Sequence, residues 1–236
     1  MTPALLRSFD HVLILGGLVR GCFNRTRTTA SLLKSGAVEA RTITALCGFR
    51  PLSGADGKPV VNAPSEVELA EFLGFAHLRD EFEAMDESMR LFFDLHRPHS
   101  VEGVESDDTT ERWRLHRYEE DGVLLRTLAA PSTERGRRAD TMDSLRFFAE
   151  PIEKLESTNS ILLVTTAIYV PYQNAVALRA LAWRYGVTVT TVGVSGRELA
   201  DIDARLQQTF RPDNYLSEIR SSIRGYRTLV SDVVPR

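Results

Sequence analysis

A chain of 236 residues with 43% hydrophobic and 26% charged side chains is long enough for one sizeable core and has the composition of a soluble globular protein. Its 29 basic and 32 acidic residues leave a formal net charge of -3, so no overall field draws it to nucleic acid or to an anionic membrane surface. The two cysteines, Cys22 and Cys47, exclude a disulfide framework, and no Cys or His cluster has zinc-site spacing.

Val12 to Leu15 is a short apolar run ended by Gly16-Gly17, the pattern of a strand buried on both faces. An export signal before Cys22 is not expected, because Asp10 and His11 precede the run and Arg20 stands where a small residue is required. No run is long enough to span a bilayer, and a reducing cytoplasm is the expected setting. A helix follows the glycines, with Asn24 or Thr26 as its cap, Leu32 and Leu33 on its apolar side and Gly36 as its stop. Thr42 to Leu46 reads as a second strand, and a Pro- and Gly-rich loop runs from Pro51 to Pro64.

Ser65 caps a helix carrying Leu69, Phe72, Leu73 and Ala76, and a further helix carries Phe82, Met85, Met89 and Phe92. His96 to Thr110 is polar, acidic and aperiodic, which predicts an exposed and mobile insertion. Trp113 to Tyr118 and Val123 to Ala129 flank Glu-Glu-Asp-Gly as a hairpin. Met142, Leu145 and Phe148 mark a helix, Ile161 to Thr165 is the most apolar strand, and Ala175, Leu178, Leu181 and Tyr185 follow on another helix ending at Gly186. Val187 to Val194 is the last strand, and Tyr215, Ile219, Ile223, Tyr226 and Leu229 stripe the closing helix.

Strands alternating with helices require crossovers that cover both faces of a parallel sheet. The expected fold is α/β, a doubly wound, mostly parallel five-stranded Rossmann-like sheet in one domain spanning 1–236, with an exposed hairpin insertion around 96–122. In such a sheet every strand-to-helix loop lies on one edge, where ligands bind. The residues expected there are Gly16, Gly17, Arg20, Arg25 and Arg27; Arg50; Ser132, Thr133, Arg137 and Arg138; Thr165, Thr166, Tyr169 and Gln173; and Ser195 and Arg197. Guanidinium forks and helix N–H groups both favour carboxylate or phosphate oxygens, so the expected ligand is an anionic small molecule; the alternative is that these arginines are solvated or paired with Glu66, Glu68, Asp140 and Asp143.

Known phosphate motifs are incomplete. Gly16 and Gly21 have P-loop spacing, but Cys22 and Phe23 replace the Lys-Ser/Thr pair; Leu18 replaces the middle glycine of a dinucleotide fingerprint. Gly-Val-Ser195-Gly-Arg lacks the second glycine of a nucleophile elbow, and His96 and His99 have no further metal ligands in reach of the pattern. Glu66 and Glu68 are acid or base candidates, although first-turn helix carboxylates also have an electrostatic reason to be there.

Val12-Leu-Ile-Leu-Gly-Gly-Leu-Val-Arg20, the Ser65-Glu66 helix start, Ala129-Ala-Pro-Ser-Thr133 with Arg138-Ala-Asp-Thr141, and Leu162 to Pro171 together resemble the SanA/YdcF-like family of Rossmann-like domains. The resemblance covers Val12 to Val194 and implies a polar ligand site at the strand ends for a nucleotide or an S-adenosylmethionine-like compound. It also shows departures: Tyr169 stands for the family's loop histidine, Tyr172 for its arginine and Asp140 for an asparagine, and the membrane segment of envelope-anchored members is not expected here. The expected function is small-molecule binding, with transfer or hydrolysis at an anionic centre as the reaction class if there is one. Gly16, Gly17, Arg20, Arg50, Ser132, Arg137, Arg138, Thr165, Thr166, Tyr169 and Gln173 are the binding residues, and no catalytic or metal residue is assigned. The alternative is a non-catalytic interaction module using the Phe- and Met-rich helices from Leu69 to Phe93.

Overall fold

The computed structural model describes residues 7–53, 65–75 and 77–234. Five parallel strands form its centre: β1 (Arg7–Leu15), β2 (Val38–Cys47), β5 (Val123–Ala129), β6 (Ser160–Thr166) and β7 (Thr188–Val194). With β3 (Ser100–Val104) and β4 (Trp113–Glu120) they make a seven-stranded sheet in the order β3-β4-β5-β2-β1-β6-β7. β4 runs antiparallel to β5 and β3 antiparallel to β4. The fold is therefore Rossmann-like α/β, with two strands beyond the expected five.

β3 lies inside the segment expected to be an irregular insertion. Its residues are almost all exposed, which is why the sequence carries no buried-strand signal there; pairing with β4 orders it as an edge. β4 is deeper, with Leu115 and Tyr118 buried. The hairpin turn works through Asp121 and Gly122, both at positive φ (50° and 75°), as a two-residue loop of this hand requires.

Alternate residues of β1 feed two cores. Val12 and Ile14 pack with Phe82, Met85 and Met89, while Leu13 and Leu15 pack with Leu145, Phe148 and Leu181. The first face is covered by α1 (Leu18–Lys34) and α3 (Glu81–Phe93), with α2 (Glu66–Phe72) beside them. The second is covered by α4 (Thr141–Phe147) and α5 (Val170–Ala177), which continues through a wider turn, Leu178–Ala182, into the short α6 (Trp183–Tyr185). The Met-rich stripe of α3 and Leu69 of α2 are thus core.

One expectation is corrected. α1 starts directly after Gly17, so Asn24 and Thr26 are buried interior residues rather than caps, and Arg20, Arg25 and Arg27 sit on the helix rather than in a loop. The closing helix α7 (Pro212–Val233) has no buried residue, and its apolar stripe faces outward. Ser65 does cap α2, in a reciprocal box with Glu68. Residues 54–64 of the Pro- and Gly-rich loop, and Ala76, lie outside the described residues.

Candidate functional site

The parallel strand order turns back at β1, whose neighbours β2 and β6 lead away in opposite directions. The crevice beyond such a reversal is where two sets of crossover helices diverge and leave space. Here it is a cleft of about 1210 Å³ bordered by the ends of β1 and β2, α1, the loop before α4, α5 and α7.

The Gly16-Gly17 turn makes room for the protein's own Glu81 and Arg25 side chains. A Cβ on Gly16 would lie 2.6 Å from Glu81 Oε1, and one on Gly17 would lie 3.0 Å from both terminal nitrogens of Arg25. Leu18 is left-handed at φ 57°, a strained conformation for a branched residue, and its N–H donates to Glu81 Oε2 at 2.9 Å. Val19 N–H donates to Glu66 Oε2 at 2.8 Å. Two carboxylates thus occupy the positive end of α1, where phosphate motifs place the ligand.

Those carboxylates differ. Glu81 is held by Arg50, whose Nη2 donates to Oε2 at 2.5 Å. Glu66 is 6% exposed, and burial outweighs its backbone hydrogen bonds to push its carboxyl above the ordinary range. A carboxyl that retains its proton more readily beside one clamped by a guanidinium is the asymmetry that acid–base chemistry uses.

Arg25 is the centre of the site. Only 3% exposed, it donates from Nε to Thr166 Oγ1 at 3.1 Å and from Nη1 to the carbonyls of Leu15 (2.8 Å) and Gly16. It thereby ties the end of β1 to the end of β6 across the point of reversal. Thr166 Oγ1 in turn donates to Gln208 Oε1 at 2.8 Å, and the guanidinium carbon lies 5.9 Å from the ring centre of Tyr169. Burial pulls the Arg25 pKa down, yet no carboxylate among the described residues lies within ion-pair distance of it. Sequence placed Arg25 among the edge residues without singling it out; its position at the second turn of α1, facing the sheet, is a tertiary fact.

Of the expected binding residues, Gly16, Gly17, Arg20, Arg50, Arg137, Arg138, Tyr169 and Gln173 border the cleft. Their states are unequal. Arg137 is engaged by Asp143 at 2.8 Å and Asp140 at 3.2 Å, and it holds the loop onto the start of α4. Arg138 has no carboxylate partner among the described residues, and burial together with the nearby Arg50 charge lowers its pKa. Arg20 donates to the Arg205 carbonyl at 3.0 Å, and a buried oxygen of Gln173 has no partner among the described residues. Ser132, Thr165 and Thr166 are buried behind the cleft wall; Ser132 Oγ accepts from Glu134 N, and Thr166 orients Arg25. Nine arginines and five carboxylates border the cleft, so its charge is positive in a chain whose total is -3.

Gln208, Phe210 and Tyr172 complete the wall, and Tyr169 meets Phe210 edge-on at 5.8 Å. Gln208 and Phe210 come from the segment after β7, where no periodicity flags them. Among the described residues no group of three or more His, Cys, Asp or Glu is placed to hold a metal, and no helix is long and apolar enough to cross a membrane.

The chain is 34% identical over 233 residues to uncharacterized proteins of Mycobacterium tuberculosis and Mycobacterium bovis. Each match takes in 96% of this chain but 60% of the relative, so the chain spans less than two thirds of the length of these curated relatives. No family model and no solved structure matches it.

Proposed function

We propose that the cleft binds a small molecule bearing phosphate or carboxylate groups, of nucleotide or adenosyl type, as the resemblance to the SanA/YdcF-like family also implies. The observation that carries this is Arg25, a 3% exposed guanidinium at the edge of the cleft with no carboxylate partner among the described residues. Desolvating a cation costs several kcal/mol unless an opposite charge compensates, and carbonyl dipoles do so only in part. An anion in the cleft supplies that charge.

Arg20 and Arg138 add positive charge, while Gln173 and Gln208 give the ligand direction through hydrogen bonds. Tyr169, Tyr172 and Phe210 form a wall suited to a flat ring. Transfer or hydrolysis at the anionic group is the fitting reaction class, with Glu66 as proton donor or acceptor.

The test is thermal melting against nucleotides, adenosyl compounds and phosphorylated metabolites, since a ligand selective for the folded state raises the midpoint. At least one should do so, and Arg138→Glu or Arg20→Glu should weaken it about tenfold or more while leaving the unliganded midpoint within about 2 °C. A panel that shifts nothing, or shifts both variants as it shifts the parent, removes the proposal. The interaction-module alternative has less support, because Leu69, Phe82, Met85 and Met89 are buried.

A further inference from the structure

The start of α1 is closed to the anionic group of a ligand. Glu81 takes the Leu18 N–H and Glu66 the Val19 N–H, so the amides that meet phosphate in a glycine-rich loop are engaged by carboxylates of the chain itself. Both carboxylates nevertheless border the cleft. The hydrogen bonds that described residues donate to Glu81 all fall on Oε2, from Leu18 N and from Nε and Nη2 of Arg50. Oε1 lies over the bare Cα of Gly16, 2.6 Å from where a Cβ would stand, and among the described residues no donor reaches it. An ionised carboxylate oxygen only accepts, so the ligand atom that meets Oε1 has to donate.

That donor is an ammonium group or a hydroxyl, and the surrounding charge selects between them. Arg25, Arg50 and Arg138 all lie within reach of the Glu81 charge, and Arg50 already pairs with it. Such an excess of cations repels an ammonium group but not a neutral hydroxyl. The place of the anion follows from what is left unmatched. Arg25 is 3% exposed, and its Nη2 stands 3.0 Å from where a Gly17 Cβ would be, with no acceptor among the described residues. Arg138 lies close enough to Arg50 for their charges to repel, which an anion between them would relieve. Beside Arg138 the backbone is open, because a Cβ on Gly48 would come no nearer than 4.0 Å to Arg138 Cδ or the Ala139 carbonyl.

We infer, resting on the anion binding proposed above, that the ligand is a phosphorylated sugar or nucleoside whose sugar hydroxyl donates to Glu81 Oε1 and whose phosphate sits on Arg138 and Arg25, displaced from the start of α1. This is the reverse of a dinucleotide site, where the helix start takes the phosphate and a carboxylate farther along takes the ribose. Tyr169 and Phe210 close the opposite wall with faces on which a sugar or a base packs.

The test is isothermal titration calorimetry of the full chain with two matched pairs. One is AMP and its dideoxy analogue; the other is ribose 5-phosphate and tetrahydrofurfuryl phosphate, which keeps the ring and lacks the hydroxyls. The hydroxyl-bearing member should bind about tenfold tighter or more, in the AMP pair for a nucleotide ligand and in the ribose pair for a sugar phosphate, because the analogue leaves a buried acceptor unmatched. In Glu81→Gln the amide oxygen stays with Leu18 N–H and Arg50 and a donor nitrogen replaces Oε1, so the preference should shrink to about twofold or less. Arg138→Gln should weaken both members of a pair alike and leave the preference intact, which separates the two roles. The parent pairs need no variant, so a Glu81→Gln chain that fails to fold leaves them decisive. A chain that binds pyrophosphate yet prefers neither hydroxyl-bearing probe overturns the sugar assignment while the anion site stands; so does one that binds phosphoethanolamine tighter than both. A chain that binds neither pyrophosphate nor any probe removes both readings.

Discussion

The Gly16-Gly17 pair has a different physical use from the glycines of phosphate loops. Its missing side chains leave room for Glu81 and Arg25, so its conservative replacement should be costly. Gly16→Ala drives a Cβ against both the Glu81 carboxylate and the Cys47 backbone and should destabilise by about 1–3 kcal/mol, measured by urea unfolding. His11 supplies a pH prediction. Its ring lies edge-on to Phe148, with Nδ1 2.9 Å from Thr42 Oγ1 and Nε2 without a partner among the described residues, and burial outweighs Glu153 and Asp10 to hold its pKa below 6.5. Above 6.5 the ring is neutral folded or unfolded, so nothing is lost there. As pH falls below 6.5 the unfolded chain takes up a proton that the folded chain resists, and stability falls. His11→Gln should flatten that part of the stability–pH curve; an unchanged slope would show that another group sets it.

Helices announce themselves in sequence where the chain supplies its own caps. Ser65 with Glu68 and Asp140 with Asp143 close reciprocal boxes at the starts of α2 and α4. Ser65→Ala should therefore cost about 1 kcal/mol in thermal or urea unfolding, with the fold retained. α1 has no such signature, because its first N–H groups are met by Glu66 and Glu81 from distant parts of the chain; hence a start placed too late, at Asn24 or Thr26. The apolar period of α7 was legible too, but periodicity reports that a helix has an apolar side and not which way that side points. Exposed β3 is the converse: with no buried face it has no period to read, and only its ladder with β4 defines it.

For the whole molecule, short apolar strands alternating with helices fixed the architecture, and the architecture brought widely separated arginines to one edge. That follows from sequence because a parallel sheet with right-handed crossovers puts every strand-to-helix loop at the same end. Sequence could not say which arginines stay free. Arg137 is absorbed by its chain neighbours Asp140 and Asp143 and Arg50 by Glu81, while Arg25 is buried with no ion pair among the described residues; the last two outcomes depend on contacts tens of residues away. If the free cations attract the ligand, raising salt should weaken its binding, less through the buried Arg25 than through exposed Arg138, which titrations of Arg25→Gln and Arg138→Gln against ionic strength would separate. From sequence alone came the strand–helix order, the cap at Ser65, the apolar faces and the basic edge, all set by local pattern and chain topology. Tertiary structure alone decided the pairing of charges, the carboxylates at the start of α1 and the outward turn of α7, because these depend on which distant surfaces meet once the chain has closed on itself.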